Sequence, residues 1–115
     1  MIRGAVEDLG GKTTNVAVRD WVLQHYPGTS TSTIRRHIAR CTVNNPSRAY
    51  YLQNKKPRIS NGRYDFLFRT DRGQLELYDP AKHGQWQIFK RDDGRLGVGR
   101  VGQEEEGIEE AERGA

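Results

Sequence analysis

The chain is short of cysteine, histidine and long apolar runs, and each shortage closes a class of function. One cysteine in 115 residues, Cys41, allows neither an internal disulfide nor a multi-cysteine zinc site, and three scattered histidines do not make up for it. No run of roughly 18 apolar residues is present to cross a bilayer, and Met1-Ile2-Arg3-Gly4 does not open an export signal. The expectation is a soluble, cytoplasmic protein with no membrane partner, no metal and no cofactor. Hydrophobic residues make up 34% of a chain of one-domain length, so its stability is expected to rest on an ordinary apolar core.

Catalytic patterns are equally scarce. Gly10-Gly11-Lys12-Thr13-Thr14 lacks the upstream glycine spacing and the preceding strand of a phosphate-cradling loop. Asp79-Pro80 reads as a turn or helix cap and His83-Gly84 as a loop, which weakens Asp79, Lys82 and His83 as an acid–base cluster. Asp65, Glu76 and Asp79 have little of the strand context of a metal-dependent nuclease, and Gly97-x-Gly99 is too sparse for a dinucleotide site. A non-catalytic protein is expected.

What the chain does have is positive charge, unevenly placed. The formal net charge is +4, yet residues 103–115 carry six acids (Glu104, Glu105, Glu106, Glu109, Glu110 and Glu112) against Arg113 alone. Residues 1–102 therefore hold 18 Lys and Arg against nine acids, a net +9. A basic body suggests a polyanionic partner, and the acidic run reads as a flexible, disordered tail.

Hydrophobic spacing orders the body into helices followed by strands. Ile2, Ala5, Val6 and Leu9 mark a helix near 2–9, closed by Gly10-Gly11. Thr14 or Asn15 caps a second near 14–26, with Val18, Trp21, Val22 and Tyr26 on one face until Pro27-Gly28. A hydroxyl-rich turn leads to a third near 32–43, stopped by Asn44-Asn45-Pro46. Tyr50 to Asn61 reads as a basic loop. Alternation then predicts a hairpin near 63–78, whose Tyr64, Phe66, Phe68, Leu75 and Leu77 cover the helices, and a second near 86–100.

The third helix has two chemically different faces. Ile34, Ile38 and Cys41 point inward, while Thr33, Arg36, His37 and Arg40 share the opposite side with Arg35 flanking. No acid stands among these cations, whereas a purely structural face usually interleaves both signs. A helix, a short turn and a cationic second helix are the parts of a helix-turn-helix, which sets its second helix in the major groove of double-stranded DNA. Arginine donates two hydrogen bonds to guanine, and Ser32 or Thr33 suits a phosphate or a thymine methyl. The same face is also compatible with an ordinary solvated helix. Arg69 and Arg72 at the hairpin tip would serve as a wing on the backbone, and Lys55, Lys56 and Arg58 extend the positive track.

Four stretches carry a family resemblance: GGKTTNVAVRDWVLQHYPG, STIRRHIARCTVNNPSR, NKKPR and GRYDFLFRTDRGQLELYDPAKHGQW, the most distinctive parts being STIR, NKKPR and LYDPAKHGQW. Over roughly residues 1 to 100 the chain resembles a family of small bacterial and archaeal winged-helix domains, found alone or as the specificity part of larger proteins, including restriction-type nucleases. That resemblance implies an α+β winged helix-turn-helix and a DNA-binding module, with Ser32, Thr33, Arg35, Arg36 and Arg40 in the recognition segment. Unlike nuclease-fused members, it is expected to have no second domain. Residues 1–102 are accordingly read as one winged-helix domain and 103–115 as its acidic tail. The alternatives are a protein-interaction module with no DNA contact, and an RNA or modified-base reader using Tyr50 and Tyr51 for stacking. A homodimer on paired half-sites also fits.

Overall fold

The computed structural model describes residues 1–51 and 54–102, so the acidic segment 103–115 lies outside the described residues. The fold is mixed α+β, with helices first and two antiparallel sheets after them. Helix α1 (Ile2–Asp8) buries Ile2, Ala5 and Val6. Its chain direction then reverses through Gly10 and Gly11, both at positive φ, a conformation only glycine adopts cheaply. Helix α2 (Asn15–His25) starts where the Thr14 hydroxyl accepts the Ala17 N–H at 3.1 Å, and it buries Val18 and Val22. Trp21 Nε1 donates to Asp8 Oδ2 at 2.7 Å, tying α2 to the end of α1.

Helix α3 (Thr31–Cys41) is capped in the same way, with the Ser30 hydroxyl accepting the Thr33 N–H at 3.1 Å. Ile34, Ile38 and Cys41 are buried, as their spacing requires. They join Ile2, Ala5, Val6, Val18, Val22, Phe66, Leu67 and Leu75 in one core. Each fully buried aliphatic side chain of this kind contributes about 1.5–3 kcal/mol, so this cluster is the main force holding three short helices together. Cys41 behaves as a small hydrophobe, its thiol pKa pushed up by burial.

A short strand, β1 (Lys12–Thr14), lies between α1 and α2 where the sequence shows no strand period. It pairs with β4 (Gln74–Leu77), which pairs with β3 (Leu67–Asp71), giving the order β1-β4-β3. The first hairpin is therefore shorter than the expected 63–78. Strand β3 begins at Leu67 because the preceding Asp65 turns its side chain into a buried cluster of arginines, as described below. The expected basic loop 50–61 is also partly ordered. A 3-10 helix (Pro46–Tyr50) precedes it, and β2 (Arg58–Ile59) pairs with β5 (Trp86–Lys90). A two-residue strand has too few positions to display alternation, which is why the sequence does not mark it.

The expected second hairpin is present as β5 and β6 (Leu96–Arg100), completing the sheet β2-β5-β6. Between the sheets runs one helical turn, α4 (Pro80–His83), whose cap is the Asp79 carboxylate on the Ala81 N–H at 3.0 Å. Among the described residues no helix is long and apolar enough to cross a membrane.

Arg48, on the 3-10 helix, is fully buried and holds these parts together. Its Nε and Nη2 donate to the Arg40 carbonyl at 3.1 and 3.0 Å, its Nη1 donates to Ser60 Oγ at 3.1 Å, and Nη2 also binds Asp65 Oδ1. Arg58 Nη1 binds Asp65 Oδ2 at 2.6 Å, and the Gly62 N–H adds a bond to the same oxygen at 2.8 Å. Burial alone would raise the Asp65 pKa; hydrogen bonds from Arg58, Gly62 and Arg48 outweigh it and hold the carboxyl below its ordinary value. The end of α3, the 3-10 helix, β2 and the approach to β3 thus share one charged joint.

Candidate nucleic-acid interface

The outer side of α3 starts from its cap. Ser30 Oγ donates to Thr33 Oγ1 at 2.7 Å, so the half-buried Thr33 is drawn toward the helix start. Ser32, Arg35 and Arg36 stand exposed, and among the described residues neither arginine pairs with a carboxylate. Both guanidiniums are therefore open to an incoming anion. Arg35 also borders a cleft of about 360 Å³ between α2 and α3, lined by Val16, Ile34, Ile38 and Ala39 among others.

His37 and Arg40 sit deeper than a fully solvated face would hold them. Arg40 Nη2 donates to His37 Nδ1 at 3.2 Å, which leaves the ring hydrogen on Nε2. Burial first, then the charges of Arg40, the amino terminus and Arg36, keep the His37 pKa below 6.5. At neutral pH His37 therefore presents a neutral N–H donor. The Arg40 guanidinium lies over the Tyr64 ring at 5.7 Å, and Arg63 lies over the same ring at 4.7 Å. Tyr64, expected in the core, is instead 45% exposed and carries these two cations.

The other basic positions divide among separate surfaces. Arg69 and Arg72 are exposed at the first hairpin and border one cleft with Asn44, whose amide donates to the Arg69 carbonyl at 2.7 Å and accepts the Arg69 N–H at 2.8 Å. The hairpin tip rests on the start of α2, where the Asn15 N–H donates to the Gly73 carbonyl at 2.9 Å. That contact continues the pairing of β1 with β4, which brings Thr14 opposite Gln74. Lys55 and Lys56 are exposed on the segment after the 3-10 helix. Arg58 differs from them: its guanidinium binds Asp65 and, through Nη2, Asn54 Oδ1 at 2.6 Å, so it braces the scaffold.

The carboxylates weighed as catalytic candidates are likewise engaged. Glu76 Oε2 lies 2.7 Å from both Lys82 Nζ and His83 Nε2, while His83 Nδ1 accepts the Asp79 N–H at 3.0 Å. The Lys82 hydrogen bond draws the Glu76 pKa down, burial opposes it, and a hydrogen bond from His83 adds to the lowering. His83 also stacks on Phe68 at 4.0 Å, which places Phe68 against α4 and not over the helices. Among the described residues no three His, Cys, Asp or Glu side chains converge as metal ligands.

Three further cations escape the sequence reading: Lys90, Arg91 and Arg95, beside Tyr50 and Lys55. Their signal was visible but diluted by Asp92 and Asp93 in the turn between them.

A family model described as a domain of unknown function, DUF7669, matches residues 1–77. The match ends at the last residue of β4, so α4, β5 and β6 lie beyond it. No curated protein and no solved structure matches the chain.

Proposed function

We propose that this chain, which belongs to the DUF7669 family, binds double-stranded DNA through α3 without catalysing a reaction on it. The observation that carries this reading is the exposed Arg35–Arg36 pair, unpaired with any acid among the described residues, on a helix whose opposite face is core. The element order supports a winged-helix arrangement: a helix, a short strand, two helices, and a hairpin whose second strand pairs with that short strand. In this arrangement Ser32, Arg35 and Arg36 approach base edges or phosphates, and Arg69 and Arg72 approach the adjoining backbone.

The test is a titration of labelled duplex DNA with the wild type and with a double Arg35→Ala, Arg36→Ala variant. A loss of about 1–3 kcal/mol for each arginine that reads a base is expected. Unchanged affinity removes the assignment. A second reading, a protein-interaction module, draws on the α2–α3 cleft, where Val16 is 55% exposed beside Ile34 and Ile38. In that reading Val16→Asp abolishes capture of a protein partner while Arg36→Ala, outside the cleft, does not.

A further inference from the structure

The second sheet carries a groove that the α3 reading does not use. It lies between the 3-10 helix and the β5–β6 hairpin, with a volume of about 780 Å³, and Tyr50, Lys55, Lys90, Arg91 and Arg95 line it. Among the described residues no carboxylate lines it. Asp92 and Asp93 stay at the turn, where Asp93 Oδ1 accepts the Arg95 N–H at 2.9 Å. Tyr50 is 81% exposed, well beyond what core packing would leave. An exposed aromatic ring and four cations lining one groove offer a stacking face and positive charge to the same ligand, one that is both flat and anionic.

Gly97 adds a second, independent feature. On β6 it is buried and its missing side chain leaves room for Arg91: a Cβ there would lie 2.5 Å from Arg91 Nε and 2.9 Å from Nη2. The guanidinium thus lies close against Gly97 at the groove wall.

We infer that this groove binds single-stranded nucleic acid, with phosphates on Lys55, Lys90, Arg91 and Arg95 and an unpaired base stacked on Tyr50. A duplex hides the faces of its bases, so a solvent-exposed tyrosine has no flat partner there; an unpaired strand offers one at every nucleotide. The shared chemistry of single-stranded DNA and RNA, a phosphodiester chain with free base faces, satisfies the groove. The groove shares no lining residue with α3, and this inference does not rest on the α3 reading.

The experiment titrates the full chain with a labelled oligo-dT, an oligo-rU of equal length, and a duplex. Tyr50→Ala is expected to weaken single-strand binding roughly tenfold, the worth of one stacked base. The double variant Lys90→Glu, Arg95→Glu is expected to abolish it, and Gly97→Ala, which displaces Arg91, to weaken it; Tyr50→Ala and Gly97→Ala, which leave the net charge unchanged, are expected to retain duplex affinity, and all three variants a cooperative thermal melt. The Arg35→Ala, Arg36→Ala variant is expected to behave in reverse. Tighter binding of one oligomer assigns the strand to DNA or to RNA. Failure of both oligomers to bind, unchanged binding by the groove variants, or equal loss of single strand and duplex overturns the proposal.

Discussion

Arg48 binds the carboxylate of Asp65 and, with the same guanidinium, the carbonyl of Arg40, so one buried ion pair fixes the end of the helix that presents the cationic face. Both side chains of the pair are fully buried. Such a pair adds little over a well-packed apolar replacement, but removing one partner leaves an uncompensated buried charge. Its value here lies in geometry: it ties α3 to the 3-10 helix, to β2 through Ser60 and Arg58, and to the start of β3.

Arg48→Ala is therefore expected to destabilise the fold by about 3–5 kcal/mol, because Asp65 loses its fully buried partner and the Arg40 carbonyl and Ser60 hydroxyl lose their donor in the same buried space. Urea unfolding followed by circular dichroism measures it. A loss under 1 kcal/mol would mean that Arg58 alone satisfies the carboxylate.

The same pair sets an acid limit. The Asp65 pKa is lower in the folded protein than its ordinary 3.8, so the unfolded chain takes up the proton first as pH falls. The stabilisation is complete above the ordinary value and declines below it, through the folded pKa. A plot of unfolding free energy against pH is expected to fall in that window, and Asp65→Asn to flatten the fall while lowering stability at neutral pH. An equal slope in the variant would place the acid sensitivity elsewhere.

Ser30→Ala removes the hydroxyl that accepts the Thr33 N–H and orients Thr33 Oγ1. A cost of about 0.5–2 kcal/mol in stability is expected, the usual value of such a cap. Duplex affinity is expected to fall further than for an exposed substitution elsewhere, since the frayed turn carries Ser32 and Thr33. Thermal melts beside DNA titrations separate the two effects.

Deleting residues 103–115 removes six acids and one base and raises the formal net charge from +4 to the +9 of residues 1–102. Non-specific DNA binding is expected to tighten at low salt and to converge with the full chain at high salt, as screening shortens the reach of the tail. Identical low-salt affinities would leave the segment with no electrostatic part in binding.

The helices were legible because their signals are local: Ile34, Ile38 and Cys41 repeat at helical spacing, and Thr14 caps α2 as its chemistry suggests. Strands β1 and β2 were not, because three and two residues cannot show a period and both exist only through partners more than 25 residues away, Gln74–Leu77 and Trp86–Lys90. The candidate site divides along the same line. Arg35 and Arg36 are exposed as their helical phase implies, whereas Arg58 reads as one more surface cation until the fold brings Asp65 beside it. Tyr64 shows the converse: an aromatic in an alternating stretch that ends in solvent, because Asp65 turns inward at the next position.

The measurement that bears most directly on the DNA-binding account is duplex affinity across a salt series for the wild type and the Arg35→Ala, Arg36→Ala variant. The account predicts a steep linear fall of log affinity with log salt for the wild type. It predicts weaker binding by the variant, with a slope shallower by about one for each arginine that meets a phosphate. Superimposable lines for the two proteins, or no salt-dependent binding by either, would contradict it.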